Sequence, residues 1–302
     1  MHNWDTVTRE HVLAVPGHGL RADRQDPADL LVGRSERRDA DRRDEHQRRR
    51  GNFDPLPPVD LSQLLLLRLR EQLARQSALP EIVSVSRVMK EAIRLVERVA
   101  PSEASVLITG ESGTGKELIA HAIHRLSTRA NSSFIDLNCA AFQESLLESE
   151  LFGYEAGAFS GAKGRKLGLI ELSDGGTLFL DEVTELPAQL QAKLLRAIET
   201  RTFFRVGGVR KVEVDTRIVA ATNRNLESVV ADGSFRSDLL YRINGFQIDL
   251  APLRERPEDI EPLAHHLLQQ VGGTTPPELE DGALDALRSY SWPGNVRQLK
   301  NT

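Results

Sequence analysis

Short apolar runs alternate with longer amphipathic segments through the middle of the chain. The runs are rich in β-branched and other apolar residues, and they predict buried strands at Ser105–Thr109, Phe134–Leu137, Thr177–Leu180, Thr216–Ala221 and Phe246–Leu250. The segments between them carry apolar residues at three- and four-residue spacing, as amphipathic helices do. This alternation predicts an α/β fold in which a parallel sheet is sandwiched by helices.

Helical patterns flank this α/β region, which we place at residues 81–250. Arg87–Ala100 predicts a helix whose apolar side consists of Val88, Ala92, Val96 and Val99. After Pro252 the apolar spacing is helical only, with helices predicted near 260–271 and 281–290. We therefore expect a second, smaller helical domain at residues 251–302.

The first 58 residues differ from the rest. Arg34–Arg50 is dense in charge and contains no apolar residue except Ala40, so it cannot bury enough surface to offset the entropy of ordering. We expect a disordered or loosely helical, solvated linker rather than a nucleic-acid arm, because its acids nearly balance its arginines. Within residues 59–80, Ser62–Gln76 predicts a helix that packs on the next domain or forms a short coiled-coil contact.

Composition narrows the class of protein. The chain has 302 residues, 40% hydrophobic and 27% charged, with a net charge of −5, which argues against indiscriminate binding to nucleic acid or membrane. Its single cysteine, Cys139, cannot form an internal disulfide. No apolar run is long enough to span a membrane and the start lacks the pattern of a secretory signal, so we expect a cytoplasmic protein without a membrane partner.

A glycine-rich segment joins the first predicted strand to a predicted helix at Glu117–Leu126. It consists of Gly110, Glu111, Ser112, Gly113, Thr114, Gly115 and Lys116. This GxxxxGK pattern between a strand and a helix predicts a loop whose N–H groups and lysine bind nucleotide phosphates, rather than a chance glycine-rich turn. Glu117 stands where a serine or threonine usually contacts Mg²⁺, so the metal must rely on other groups and on water.

Two carboxylates end the strand predicted at Thr177–Leu180. Asp181 is suited to hold Mg²⁺, directly or through water, and Glu182 to polarise an attacking water. Acids often follow strands for structural reasons alone, so the pair by itself is weak evidence. Their place about 65 residues after a phosphate loop favours ATP hydrolysis.

From about Ile82 to Asn301, nearly three-quarters of the chain resembles the AAA+ ATPase domain of bacterial sigma-54-dependent transcriptional activators. GESGTGKE at residues 110–117 is similar to the phosphate loop of that family, in which Glu117 is normal. GAFSGA is similar to the family's GAFTGA loop, which contacts sigma-54, and it comprises Gly157, Ala158, Phe159, Ser160, Gly161 and Ala162. Ser160 replaces the usual threonine. The residues alone favour a glycine-rich hairpin with Phe159 in the core.

The resemblance also assigns roles to single polar residues. It implies that Asn138 is a switch that pairs with Glu182, that Asn223 is a first sensor of the γ-phosphate, and that Arg297 is a second sensor in the lid. Judged from the residues alone, Asn138 is a strand-end cap, Asn223 a turn residue and Arg297 a surface arginine near a helix start.

FRSDLLYRIN, at residues 235–244, is similar to a family segment that carries two arginines acting in the neighbouring subunit. Arg236 and Arg242 occupy those positions; without the resemblance they are solvated arginines or partners of Asp238. The segment 204–214 resembles a second, pre-sensor loop. This segment contains three cationic residues, Arg205, Arg210 and Lys211. We expect them to lie on the solvated face of a hairpin rather than to form a basic patch that faces promoter DNA.

The family implies a cytoplasmic Mg²⁺-ATP hydrolase that forms a hexameric or heptameric ring. Such a ring remodels sigma-54 bound to RNA polymerase and acts at promoter and enhancer DNA, although we expect this chain to stop before the DNA-binding domain. Ile82–Ser86 lacks the family's glycine-serine pair, so adenine contacts stay unassigned. Two alternatives remain open: another AAA+ machine, such as a helicase or chelatase subunit, and a nucleotide-gated scaffold that does not hydrolyse ATP.

Overall fold

The structure is a computed structural model that describes residue 79, residues 82–272 and residues 279–302. The predictions for the charged segment 1–58 and for the helix at Ser62–Gln76 lie outside the described residues. Within the described ranges, no helix combines the length and the apolar character that a membrane crossing needs.

All five predicted strands form, and they join into one parallel sheet. In chain order the α/β part contains α1 (Arg87–Val99), β1 (Val106–Thr109), α2 (Lys116–Arg125), β2 (Phe134–Asn138), α3 (Glu144–Phe152), β3 (Gly153–Tyr154), β4 (Lys166–Leu167), α4 (Leu169–Leu172), β5 (Thr177–Asp181), α5 (Ala188–Thr200), β6 (Thr202–Phe204), β7 (Lys211–Glu213), β8 (Arg217–Thr222), α6 (Leu226–Ala231), α7 (Ser237–Ile243) and β9 (Phe246–Asp249). The sheet order is β2-β5-β8-β1-β9, with every neighbouring pair parallel.

Helices cover both faces of the sheet, as the sequence predicts. Side chains alternate along the strands, so each face carries its own buried apolar cluster. One cluster packs against α3, α5 and α7 and includes Leu107, Leu137, Leu178, Leu180, Ile218 and Ala220. The other packs against α1 and α2 and includes Val106, Ile108, Phe179, Val219, Ala221 and Ile248. The α/β sandwich is therefore confirmed.

Helix α1 buries a side slightly different from the predicted one. Ala92, Val96 and Val99 are buried, but the fourth buried residue is Met89, while Val88 is 44% exposed. At 100° per residue, Val88 and Met89 both lie about 50° from the middle of the other three, on opposite sides. Periodicity alone could not choose between them, and packing against the sheet selects the larger methionine.

Two short antiparallel pairs stand outside the main sheet, in the two segments for which the residues favoured hairpins. β3 pairs with β4, and the loop between them contains Gly157–Ala162. β6 pairs with β7. A single bridge between Tyr154 and Val206 connects the two hairpins, and Val206 N–H donates to Gly153 O at 2.9 Å.

A helical lid follows the sheet, as expected. It comprises α8 (Ile260–Gly272), α9 (Asp281–Ser289) and α10 (Asn295–Asn301), after two short 3-10 turns at Leu253–Glu255 and Pro257–Asp259. The lid has its own apolar cluster, made by Leu253, Ile260, Leu263, Trp292 and Leu299. The second 3-10 turn also contacts the segment before α1, because the buried Asp259 carboxylate accepts from the N–H groups of Val85 and Ser86 at 2.6 and 2.7 Å.

Candidate nucleotide-binding site

The candidate site lies where parallel strands end at one edge of the sheet. β1, β2, β5 and β8 run in the same direction, so their carboxyl ends meet along that edge. Gly110 follows β1 directly, β2 ends at Asn138, β5 ends at Asp181, and Asn223 follows β8. This is the edge at which open α/β sheets bind ligands. The fold therefore brings together most of the polar residues that the sequence singled out.

The phosphate loop depends on glycines in conformations that other residues avoid. Gly110, Gly113 and Gly115 have φ values of 152°, 81° and 106°. A Cβ added at Gly113 would lie 2.4 Å from Gly294 O, so this glycine also permits close contact with the lid. Helix α2 begins at Lys116, with its N-terminus facing the loop. A loop of this shape presents backbone N–H groups to an anion.

Lys116 is buried inside the loop. Its Nζ donates to Gly110 O at 2.9 Å and lies 3.6 Å from Glu182 Oε1. The ammonium group is thus held between the loop and the carboxyl end of β5. A phosphate group entering the loop would meet this cation directly.

The two carboxylates at the end of β5 have different surroundings. Glu182 adopts left-handed backbone angles, φ 49° and ψ 48°, which are unusual for a residue with a side chain. Its Oε2 accepts the N–H of Asn223 at 3.1 Å, so Asn223 meets the site through its backbone. Asp181 Oδ1 accepts the N–H of Glu182 at 3.0 Å. Backbone strain of this kind is concentrated at functional sites.

Asn138 contacts the neighbouring carboxylate instead of the expected one. Its Nδ2 donates to Asp181 Oδ2 at 3.1 Å, and its Oδ1 accepts the N–H of Ala140 at 2.9 Å. The predicted pairing with Glu182 is therefore wrong for this structure. The physical reason is register: β2 and β5 are paired so that Asn138 lies directly opposite Asp181.

Cys139 lies beside these carboxylates without taking part in an ion pair or a disulfide. The residue is buried, and desolvation together with the charges of Asp181 and Glu182 raises the pKa of its thiol to about 12. The thiol is therefore neutral at physiological pH, and we assign it to packing.

A cavity of about 530 Å³ opens between the loop, the strand ends and the lid. Its lining residues are Ser112, Gly113, Gly115, Lys116, Glu117, Leu118, Asn138, Asp181, Glu182, Val296, Arg297 and Lys300. The described residues contain no cluster of three or more side chains that could hold a metal ion alone. One carboxylate supplemented by phosphate oxygens and water is nevertheless the usual environment of Mg²⁺, so Asp181 fits that ion.

The lid contributes the first turn of α10 to the cavity. Arg297 donates to Ser112 Oγ at 2.9 Å, which places the predicted second sensor against the phosphate loop. Gly113 O accepts the N–H groups of Val296 and Arg297 at 3.0 and 3.4 Å. The free N–H groups in the first turn of α10 thus find their hydrogen-bond acceptor in the phosphate loop.

Three further lid residues contact the loop, and the sequence analysis missed them. Arg254 binds Glu111 through two hydrogen bonds of 2.9 and 2.7 Å, which hold the pKa of the Glu111 carboxyl below its ordinary value. Buried Arg256 donates to Thr114 O at 2.9 Å, and burial lowers the pKa of its guanidinium. Asn295 donates to Glu111 and Ser112. Only the position of Asn295 beside Arg297 in WPGNVR offered a signal in the sequence.

Arg236 and Arg242 lie away from the cavity of their own chain. Arg236 precedes α7 and forms a two-pronged ion pair with Asp238, at 3.0 and 2.7 Å. Arg242 is exposed and lines a different, smaller cavity together with Ser105 and Thr216. Ser105 directly precedes β1 and Thr216 directly precedes β8, so this smaller cavity lies at the edge of the sheet where the strands begin.

The GAFSGA loop forms an exposed tip. Gly157 N–H donates to Ala162 O at 2.9 Å, and Ala162 N–H donates to Phe159 O at 3.0 Å. Phe159 is 47% exposed and packs at a steep angle against the ring of Tyr154, with ring centroids 5.0 Å apart. The expected hairpin forms, but the expectation that Phe159 lies in the core is wrong. Of this loop's apolar side chains, Ala162 is buried instead.

Arg205 is the largest departure from the sequence expectation for the second loop. It is buried at 7% exposure, and its guanidinium binds Glu171 at 2.6 and 3.0 Å and Glu155 at 2.8 Å. The hydrogen bonds to Glu171 raise its pKa above the ordinary value. The solvated face predicted for this residue is wrong, because two acids from other elements meet it; Arg210 and Lys211 are exposed as expected.

The fold and the site define a class of protein. A phosphate loop between β1 and α2, acids at the end of the neighbouring strand and a helical lid over the loop are the features of a P-loop AAA+ domain. Two family models match the chain: the sigma-54 interaction domain over residues 82–249 and an AAA+ ATPase lid domain over residues 254–302. The chain belongs to the sigma-54 interaction domain family of transcription regulators.

Relatives agree with this assignment. The chain is 46% identical over 267 residues to the transcriptional regulator NtrC of Klebsiella pneumoniae, covering 83% of this chain and 57% of NtrC. It is 49% identical over 237 residues to the Nif-specific regulatory protein of Herbaspirillum seropedicae, covering 78% and 44%. The chain thus spans about half the length of these relatives. A crystal structure of NtrX from Brucella abortus in complex with ATP matches with a TM-score of 0.69 at 38% identity, covering 81% of this chain and 55% of that one.

Gly113 provides a test of the contact between loop and lid. We expect Gly113→Ala to lower the free energy of unfolding by about 1–3 kcal/mol more than Gly233→Ala, because its Cβ would collide with Gly294 O. Gly233 is a matched control, since its φ of 75° is similar and a Cβ there would meet open space. Urea unfolding of both variants measures the difference, and equal losses would contradict the contact.

Proposed function

We propose that this chain is an ATP-hydrolysing domain that remodels the sigma-54 RNA polymerase holoenzyme through its GAFSGA tip. The observation that carries the proposal is the arrangement of Lys116, Asp181 and Glu182 at the end of the phosphate loop. The family match and the ATP complex of NtrX support nucleotide binding. The exposed Phe159 supports a contact with a partner.

Each residue of the cavity has a chemical task in this proposal. The N–H groups of the phosphate loop and Lys116 bind the phosphates, while Arg297 contacts the same nucleotide from the lid. Asp181 would hold Mg²⁺, which neutralises negative charge as the terminal phosphate leaves. Glu182 orients and polarises the attacking water, and the N–H of Asn223 keeps the Glu182 carboxylate in place.

The proposed active unit is a ring, a hexamer or heptamer, in which neighbouring chains share each site. Support comes from the position of Arg236 and Arg242, both exposed and both outside the cavity of their own chain. A guanidinium supplied by the next subunit would stabilise charge in the transition state, an effect worth about 10³–10⁵ in rate in other phosphoryl-transfer proteins. Arg236 would exchange its partner Asp238 for a phosphate.

A short path links the site to the tip. Asn138 ends β2 beside Asp181, and the chain then passes through α3 and β3 into Gly157–Ala162. Arg205 ties Glu155, next to that loop, to the second hairpin and to Glu171. A change in the partners of Asn138 when ATP replaces ADP would bias the position of the tip, and such differential contacts are the energy source of a switch.

Glu182→Gln tests the catalytic assignment. We expect the variant to bind ATP with nearly wild-type affinity and to hydrolyse it about 10²–10⁴-fold more slowly, because an amide cannot act as the base. Glu185→Gln is the matched control, since Glu185 is three residues away and its ion pair with Arg224 is exposed. Steady-state phosphate release over a range of protein concentrations is the measurement. Hydrolysis by Glu182→Gln at the wild-type rate would refute the role, and a wild-type chain that hydrolyses nothing would favour a scaffold.

Mixing two inactive variants tests the shared site. Arg236→Ala removes the arginine that reaches the neighbour, and Glu182→Gln removes the base, so each variant alone is expected to be inactive. In mixed rings some interfaces pair an intact arginine with an intact glutamate, and we expect ATPase activity to reappear. Activity that stays at the level of the separate variants would argue against sites completed in trans.

Phe159→Ala tests the contact with sigma-54. We expect this variant to hydrolyse ATP normally but to lose capture of purified sigma-54 in the presence of ADP and a γ-phosphate mimic. Leu146→Ala is the control, because Leu146 is an apolar residue on α3 that is equally 47% exposed. Capture that is unaffected by Phe159→Ala would contradict the role of the tip. Hydrolysis by a wild-type chain that never captures sigma-54 would favour another AAA+ machine, such as a helicase or chelatase subunit.

A further inference from the structure

Asn295 is buried completely at the point where the lid meets the phosphate loop. It precedes the sensor Arg297 by two residues and adopts left-handed backbone angles, with φ 51°. Asparagine tolerates this conformation better than most residues with a side chain. The residue therefore combines a strained backbone with a fully desolvated polar side chain, a combination that persists only where the surroundings satisfy it.

The amide of Asn295 joins three segments. Its Nδ2 donates to Glu111 Oε2 at 3.1 Å and to Ser112 O at 3.0 Å, both in the phosphate loop. Its Oδ1 accepts the N–H of Leu253 at 2.7 Å, where the lid begins. Both amide hydrogens and the carbonyl are thus used. No smaller or purely accepting side chain could make the same set of bonds.

The charge of Glu111 explains why a neutral donor is needed at this position. The carboxylate already receives two hydrogen bonds from Arg254 and a third from Asn295, and these bonds lower its pKa. An aspartate at position 295 would keep the size and the backbone preference of asparagine. It would, however, place a second negative charge against Glu111 and a second acceptor against Ser112 O.

We propose that Asn295 is a positioning residue for nucleotide binding: it fixes the Glu111–Gly113 part of the phosphate loop against the lid, so that loop and lid move as one unit. The inference rests on the proposed nucleotide-binding function and deepens it. Asn295 does not line the cavity itself, and it acts through the residues that do, Ser112 and Gly113. Nucleotide affinity therefore depends on a residue that does not contact the nucleotide.

The test compares ADP affinity in Asn295→Asp and in the wild type, with a fluorescent ADP analogue and no hydrolysis step. We expect the variant to bind about tenfold more weakly at pH 8, because a buried acceptor faces a carbonyl and a carboxylate. Two close carboxylates share a proton as the pH falls, since each raises the pKa of the other. The defect relative to wild type should therefore shrink by about pH 5.5, a pH response that a packing defect would not produce.

A second change should rescue the first. Glu111→Gln in the Asn295→Asp background replaces one carboxylate by an amide that can donate to the new aspartate, so we expect part of the ADP affinity to return at pH 8. Asn301→Asp is the matched control, because it makes the same chemical change at an exposed position of the same helix. A defect at Asn295→Asp that Glu111→Gln does not relieve and that pH does not alter would overturn the proposal.

Misfolding of Asn295→Asp would not prevent the test. Asn295→Gly suits the left-handed backbone and removes the amide without adding charge, and wild-type ADP affinity in that variant would overturn the proposal.

Nucleotide binding by the wild type separates this inference from the proposed function. A wild type that binds ADP while both Asn295 variants bind it equally well refutes only the role of Asn295. If the wild type binds no nucleotide, the proposed function fails. Hydrogen exchange of the Gly113–Lys116 amides then tests the contact between Asn295 and the loop by itself. Unchanged protection of these amides in the Asn295 variants would contradict that contact.

Discussion

The structure depends on a phosphate loop whose backbone is in contact with other backbone on two sides. Toward the sheet, Gly110 N–H donates at 3.3 Å to the carbonyl oxygen of Thr222, the last residue of β8 and the one before Asn223. Toward the lid, Gly113 O accepts two N–H groups at the start of α10. Neither glycine leaves room for a Cβ, which would lie 2.8 Å from Leu250 O at Gly110 and 2.4 Å from Gly294 O at Gly113. These glycines therefore hold the loop against the sheet and the lid, in addition to the phosphate contacts proposed for them.

In the proposed function, this double contact would let a small event at the site reach distant surfaces. Four lid residues bind the loop, and a phosphate that shifted the loop would then also shift the lid; they are Arg254, Arg256, Asn295 and Arg297. On the other side, Asn138 and Asp181 connect the strand ends to the segment that leads through α3 to the GAFSGA tip. Packed interfaces with discrete partners respond in steps rather than gradually, which is what a switch needs.

The fold could be predicted largely from the sequence because its signals are local. Five apolar runs gave five parallel strands, and the GxxxxGK pattern gave the loop in its place between β1 and α2. The errors arose where two local solutions were equivalent or where a partner lay far along the chain. Val88 and Met89 satisfy the helical period equally well, and Arg205 finds Glu155 and Glu171 only after three separate elements are brought together. Asn138 faces Asp181 because of strand register, which a single strand does not encode.

The sequence by itself determined the class of fold, which residues form the phosphate loop, and which two carboxylates stand at the end of β5. These features are local, because neighbouring residues set the backbone conformation and burial of a short segment. Only the tertiary structure decided which polar groups meet. Asn295 and Arg254 reach Glu111 across more than 140 positions of the chain, and Phe159 lies half-exposed against the ring of Tyr154 instead of in the core. Long-range hydrogen bonds carry no periodic signature, so their partners appear only when the chain is folded.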